Sequence, residues 1–448
     1  MKTITFLLCT LAFINVTAQQ HFSGVNTSSH VGIVNGGMNP AEYTNTASTF
    51  EVNILAPSIN ASSNKVGFSD LVNGNDLEEL IFKGSEAANL RIDGEILGPG
   101  VAYKMDKWTF AFTTKAYAKL DIVDVDTHIG DAITNAGISS FFGSTTINNN
   151  ENQRLNGTTW GEVGLSAARN VYEDETNKFS VGATLKILFP GSYANFGADK
   201  FTGTINNTLG QGTLTDANAN LNIAYSGNLG DDFTSFNDYT GSLFGKLNGL
   251  AADVGANYQW KDTEPGKYKV NAGVSIRNMG GITFKSANNS STNYVLSIQG
   301  AESLDLNQFQ DVNSLKEVED ILLASGYLNK TANESKDFKV TLPTLFTAYA
   351  DIKIIPNLFA TIYTQQKLNK DKENDQITNE NVTSLTPRYV WTNVELFSPW
   401  SANEISGVSG GIGVRAYGFF IGSSSIITAL TSDSKQADVY LGYSFGIK

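Results

Sequence analysis

The stretch WTFAFTTKAYAKLDI, residues 108–122, decides the fold. Taken alternately, one face carries Trp108, Phe110, Phe112, Thr114, Ala116, Ala118, Leu120 and Ile122, and the other Thr109, Ala111, Thr113, Lys115, Tyr117, Lys119 and Asp121. Successive side chains of a strand point to opposite faces, so one side is apolar and the other wet. The run exceeds the about 5 to 6 residues usual in a soluble sheet. It reaches the about 9 to 11 residues with which a tilted strand crosses a bilayer. The pattern predicts a membrane strand with lipid on one side and a polar lumen on the other.

The same alternation returns from Phe179 to Phe189, Leu250 to Trp260, Val270 to Ile276 and Ala437 to Ile447. It places Phe110, Phe112, Val181, Leu185, Val254 and Leu441 toward lipid and Lys115, Lys186, Asp253 and Ser444 inward. Aromatic residues sit at the ends of these runs, where interfacial girdles belong. The apolar face admits Ala and Gly where a close-packed sandwich core would favour larger side chains. Sixteen strand candidates fall near 49–60, 91–103, 108–122, 158–170, 178–189, 193–204, 218–226, 249–260, 268–279, 282–299, 338–353, 357–368, 386–398, 407–417, 419–429 and 437–447. The segments 193–204, 218–226 and 386–398 are the weakest, and a single-chain barrel favours an even number. The expectation is an all-β protein: one transmembrane antiparallel β-barrel of about 14 strands, within a range of 12–16. Short helices are predicted at 71–82 and 312–324, and polar tracts such as 148–152 and 369–381 read as outer loops.

Ahead of the barrel, Lys2 precedes the apolar run Ile4 to Val16, and Val16-Thr17-Ala18 offers a cleavage site. Residues 1–18 therefore read as a secretory signal peptide. Cleavage there would remove Cys9, the only cysteine, and with it any disulfide or thiolate chemistry. Residues 19–46 are polar and glycine-rich, with a turn at Asn39-Pro40 and Val25, Val31, Ile33, Val34 and Met38 to bury. They read as a plug inside the lumen or as a periplasmic tether, and 47–448 as the barrel. No later run of 18 apolar residues suggests a membrane helix. A net charge of −13 without a basic cluster argues against nucleic-acid binding.

Chemistry is sparse. His21 and His30 fall in the predicted plug and His128 near a loop, so no Ser-His pair on adjoining strands suggests a hydrolase. Asp121, Asp124 and Asp126 lack the spacing and glycine of a calcium loop. Gly411-Ile412-Gly413 lies in a strand and opens no helix, so it does not cradle a nucleotide. Neither an enzyme nor a cofactor is predicted. The candidate lumen-lining residues are Lys115, Lys119, Asp121, Lys186, Asp253, Lys269, Arg277 and Arg415. Such charges pair with one another and with the plug, or orient the head group of a passing amphiphile.

Several short motifs carry a resemblance: Met38-Asn39-Pro40-Ala41, the segment Asn248 to Tyr258, Val274 to Gly280, Leu342-Pro343-Thr344 and Gly410-Gly411-Ile412-Gly413. Together they resemble an uncharacterised family of bacterial outer-membrane barrels. That family is similar in layout to the long-chain fatty-acid transporter barrels and to the barrel component of a gliding-associated secretion system. The resemblance implies about fourteen strands, an N-terminal plug, residence in the outer membrane of a Gram-negative bacterium and passage of hydrophobic molecules. Arg277-Asn278 and Ser423-Ser424-Ser425 depart from the family pattern, and no catalytic residue carries over. Two functions follow as expectations. One is a channel or transporter for small hydrophobic or amphiphilic cargo. The other is an interaction scaffold associated with a secretion or envelope complex. The expected partners are outer-membrane lipid and the assembly machinery that reads the C-terminal strand, whose Tyr440 to Ile447 pattern fits that signal.

Overall fold

The computed structural model describes residues 21–28, 30–134, 142–208, 211–231, 246–264, 267–285, 288–310, 312–331 and 336–447; the signal-peptide reading of 1–18 falls outside them. Fourteen wall strands follow in chain order. They are β1 (Phe50–Ser63), β2 (Ala88–Leu97 continued by Gly100–Met105), β3 (Trp108–Val125), β4 (Gln153–Glu173), β5 (Asn177–Thr208), β6 (Gly249–Lys261) and β7 (Tyr268–Phe284). The second half comprises β8 (Phe338–Thr341 continued by Leu345–Ile355), β9 (Leu358–Lys367), β10 (Val382–Val390), β11 (Val394–Phe397 continued by Trp400–Asn403), β12 (Gly407–Gly410 continued by Ile412–Ala416), β13 (Phe419–Ser423) and β14 (Gln436–Ile447). Each pairs antiparallel with the next. β14 returns to β1 with Phe50 opposite Ile447 and Ser62 opposite Gln436. The sheet therefore closes on itself, which satisfies backbone groups that lipid could not.

The two faces separate as the alternation requires. Leu185 is 49% exposed and its neighbour Lys186 only 5%. Phe110, Phe112, Val181, Val254 and Leu441 are likewise exposed, while Asp253 and Ser444 are buried. An apolar surface continuous around the ring is out of place on a soluble protein and is what a bilayer requires.

The two ends of the barrel differ. At one end, tight turns at 106–107, 174–176, 356–357, 391–393 and 417–418 join neighbouring strands. Tyr417 and Gly418 both take positive φ, 52° and 100°, as a two-residue hairpin demands. A Cβ on Gly418 would run into the Ser444 carbonyl oxygen. In the turn after β4, the Asp174 carboxylate accepts from the Thr176 and Asn177 N–H groups at 2.8 and 2.6 Å and from the Tyr172 hydroxyl at 2.7 Å. These donors hold its carboxyl well below the usual carboxylate range. Exposed aromatics gather at this end: Phe50, Tyr103, Trp108, Tyr172, Trp260, Trp391 and Tyr417 form an interfacial girdle.

The other end carries the long connections. β5 runs past the wall and its outer part pairs with strands Gln211–Ser226 and Phe142–Asn149. Gln211–Ser226 pairs in turn with Ser290–Ser297. This protrusion has its own core, including Phe201, Ile205, Leu221, Ile223, Leu296 and Leu322. The Tyr225 and Tyr294 hydroxyls donate to the Glu319 carboxylate of helix Leu315–Ala324 across it.

Several boundaries differ from the sequence reading. The segment 193–204 is the outer part of β5, and 218–226 lies in the strand Gln211–Ser226 of the protrusion. The predicted strand 282–299 is two, ending at Phe284 and resuming at Ser290. Proline, which cannot donate to a ladder, interrupts β2 at Pro99, β8 at Pro343 and β11 at Pro399. The predicted strand 419–429 stops at Ser423, where the chain turns into helix Ile426–Ser432. Side chains replace the ladder there: Thr428 Oγ1 accepts from the Gly410 N–H at 3.1 Å, and Asp438 from the Ser424 N–H at 2.8 Å. The helix predicted at 71–82 is two short pieces, Phe68–Asn73 and Leu77–Ile81.

Candidate functional site

The described residues 21–28 and 30–46 lie inside the ring, nearly all of them buried. They form a single 3-10 turn at Val25–Thr27, a helix at Gly32–Met38 and a 3-10 helix at Pro40–Asn45. Asn39 starts the last of these: its Oδ1 accepts from the Ala41 N–H at 3.0 Å and Pro40 occupies the first helical position, where proline's missing N–H is harmless. Val25, Val31, Ile33 and Tyr43 belong to one buried apolar cluster with Phe397, Phe420 and Tyr440 of the wall. Phe22 meets Phe420 and Tyr440 edge-on at 6.3 and 5.8 Å.

Three wall glycines form the seat. A Cβ on Gly182 of β5 would lie 2.5 Å from the Pro40 carbonyl carbon; one on Gly255 of β6 would overlap the Asn39 carboxamide, and one on Gly273 of β7 would lie 2.6 Å from Asn39 Nδ2. Gly182 and Gly255 are paired across the sheet. The Asn39 amide also donates to the Ala256 carbonyl at 2.9 Å. Beside it the buried Glu42 carboxylate accepts from the amides of Asn45, Asn257 and Asn271 at 2.7, 2.9 and 2.9 Å and from the Tyr349 hydroxyl. Lys178 donates to the Thr44 carbonyl at 2.9 Å.

A second anchor is Glu395 of β11, fully buried. It accepts from Ser28 Oγ at 2.7 Å and lies 2.8 Å from His30 Nδ1. Arg388 and Arg415 face it at 3.1 and 3.3 Å, and Arg388 also pairs with Asp351 at 2.6 Å. Removing one partner of such a buried pair costs about 3–5 kcal/mol.

On the other side of the segment lies a cavity of about 100 Å³. Lys115, Lys119, Lys186 and Arg277 all line it, so the structure brings four of the sequence-predicted residues together. Lys115 pairs with Glu95 at 2.7 Å and Lys119 with Asp93. Lys186 lies 2.9 Å from Asp253 and 3.6 Å from Glu162. Arg277 donates to the Gly37 carbonyl at 3.2 Å and to Gln365. Tyr117 and Trp160, opposite each other on β3 and β4, stack with ring centroids 4.4 Å apart. Asn379, from the connection after β9, also lines the cavity. Residues 369–381 had read as an outer loop. The structure folds this connection inward: Arg154 donates to the Asp371, Asn374 and Gln376 carbonyls at 2.8, 3.2 and 2.9 Å, and Ile377 is fully buried.

Asp253 stays with Lys186; the other predicted residues go elsewhere. Asp121 lies toward the loop end, 3.4 Å from Arg91, and Arg415 belongs to the Glu395 anchor. Lys269 is corrected outright. A register shift between Tyr268 and Val270 resets the alternation, and the ammonium lies 5.0 Å over the Trp260 ring on the outer face. Sequence reading missed Glu42, Glu395, Arg388 and Arg154. It also missed Asp93 and Glu95, which had a visible signal: Arg91, Asp93 and Glu95 alternate, so all three share the lumen face.

His21 Nδ1 lies 2.8 Å from Ser58 Oγ, and its Nε2 lies 3.3 Å from Asp93. The trio has the composition of a hydrolytic relay with the ring nitrogens exchanged. Ser58 does not line the cavity, however, and Asp93 is already neutralised by Lys119. The trio fastens the segment to β1 and β2.

No curated protein matches the chain. Among solved structures it is similar to a mutant of the TodX monoaromatic hydrocarbon channel, at 10% identity and a TM-score of 0.47 over 94% of this chain and 96% of that one. The Ralstonia pickettii toluene transporter TbuX is similar at 11% identity and a TM-score of 0.42, over 94% and 95%. The translocator domain of the autotransporter NalP from Neisseria meningitidis follows at 8% and 0.32, over 94% and 97%. A family model spans residues 40–424, from the Pro40 dock to the end of β13, and the chain accordingly belongs to the family of unknown function DUF5723.

Proposed function

We propose that this chain is an outer-membrane channel held shut by its own N-terminal segment, passing small hydrophobic or amphiphilic molecules. The observation that carries this reading is the seating of residues 21–46 across the lumen on three wall glycines, with a cavity on the other side. Closed strand pairing makes the wall independent of the segment, so the segment can leave without unfolding the barrel. The aromatic girdle at the turn end and the C-terminal strand pattern support residence in the outer membrane of a Gram-negative bacterium. The test is a variant lacking residues 21–45, reconstituted in planar bilayers. It should insert and conduct where the parent stays closed. A deletion variant that inserts normally and remains as closed as the parent removes the gate from the mechanism.

One observation favours a second reading, a surface scaffold for a partner protein. The protrusion beyond the wall has a hydrophobic core of its own, which a simple pore does not need. Stoichiometric co-purification of a partner whose binding is lost when the protrusion is shortened would favour it.

A further inference from the structure

The cavity above the N-terminal segment is unbalanced in two ways. Among the described residues, no carboxylate lies within 4.0 Å of the Arg277 guanidinium, although Lys115, Lys119 and Lys186 each have one. In addition, three lining side chains keep a buried donor without an acceptor: Arg277 Nε, Trp160 Nε1 and Asn26 Nδ2. One lining acceptor atom, Asp93 Oδ1, lacks a hydrogen bond but faces His21 Nε2 at 3.3 Å. Buried polar groups in folded proteins nearly always find partners, so the cavity is short of acceptors. The lining also includes the apolar side chains of Phe22, Ile33, Val34, Leu342 and Leu345. The Tyr117–Trp160 stack adds flat aromatic surface.

We infer that the cavity is a subsite for a small anionic amphiphile, one whose carboxylate meets Arg277 and whose apolar body lies against the aromatic and aliphatic walls. Arginine suits this task because its planar fork matches a carboxylate with two parallel N–H donors. The ligand is small because the space is about 100 Å³, room for a single ring rather than a long chain. The inference deepens the channel reading and rests on it for its meaning in transport, but not for its test.

The probe is benzoate, titrated calorimetrically into the full chain in a non-ionic detergent, with benzyl alcohol as its neutral counterpart. Benzoate should bind with one site per chain and at least tenfold more tightly than benzyl alcohol, as a charge-assisted hydrogen bond predicts. Arg277→Gln should weaken benzoate roughly tenfold or more and leave benzyl alcohol unchanged; Trp160→Phe should weaken benzoate about threefold. Lys269→Gln, on the outer face, should change neither. Equal affinity for the two probes in the parent overturns the inference without recourse to any variant, and the space then holds water alone. Full benzoate affinity in Arg277→Gln overturns it as well. Benzoate binding by the full chain with no conductance in the 21–45 deletion variant would sink the channel and keep the subsite; conductance in that variant with no benzoate binding by the full chain would do the reverse.

Discussion

The lumen is built differently at its two ends. Toward the turns, backbone meets backbone: Asn39 and Pro40 lie on Gly182, Gly255 and Gly273 with no room for a methyl group, and Glu42 receives four donors. Toward the loops, side chains face one another across open space, and donors of Trp160 and Arg277 go unanswered. Tight packing and saturated hydrogen bonds fix one arrangement, whereas a roomy cavity with unmet donors is fit to exchange its contents. In the proposed channel, closure belongs to the turn end and recognition to the loop end.

The largest effect on conductance should come from attacking the seat. Gly255→Val places three carbons where the Asn39 carboxamide lies, and overpacking of this kind costs about 1–3 kcal/mol even where the surroundings can yield. The barrel should still migrate as a folded, heat-modifiable species, with conductance raised toward that of the 21–45 deletion. If Gly255→Val conducts no better than the parent, closure does not reside in the seat. An attack on the loop end should act differently. Arg154→Gln withdraws donors from three carbonyls of the inward-folded connection, at roughly 1–3 kcal/mol for each group left unsatisfied. Trypsin should then cut faster at Lys370 and Lys372 while conductance stays at the parent's level. A rise in conductance would move the gate to the loop end and reverse the assignment.

The wall was legible because a bilayer imposes it. Lipid forces a period of two over ten residues at a time, so Phe110, Leu185 and Val254 could be placed from the sequence, and Lys186 and Asp253 opposite them. The contents of the lumen obey no such period. Glu42 becomes a buried acceptor only because Asn257, Asn271 and Tyr349, more than 200 residues away in sequence, converge on it. Arg388 and Glu395 lay in a segment whose strand pattern was broken by the turn at 391–393 and by Pro399. Lys269 shows the limit from the other side: parity placed it inward, and one register shift reversed it. The charges at 91, 93 and 95 were readable by the same parity and needed only to be compared with Lys119 and Asp121 on the facing strand.

The smallest expected effect sharpens the claim that the turn end is the fixed one. Asp174 pins the hairpin between β4 and β5, just outside the seat, through the Tyr172 hydroxyl and two backbone N–H groups. Those donors depress its pKa, and a depressed carboxylate contributes stability that is complete above the unfolded-state value, about 3.9, and is lost as pH falls toward the folded-state value. Asp174→Asn keeps one acceptor for the backbone but turns an amide toward the Tyr172 hydroxyl, and it cannot titrate. In urea at neutral pH the variant should therefore unfold slightly faster than the parent, and the gap should narrow as the solution is taken below the ordinary carboxylate range. Many other acids titrate over the same interval, so only the difference between the two proteins is informative. A gap that stays constant with pH would show that the Asp174 charge contributes nothing to the hairpin, and that the turn end owes its rigidity to the seat alone.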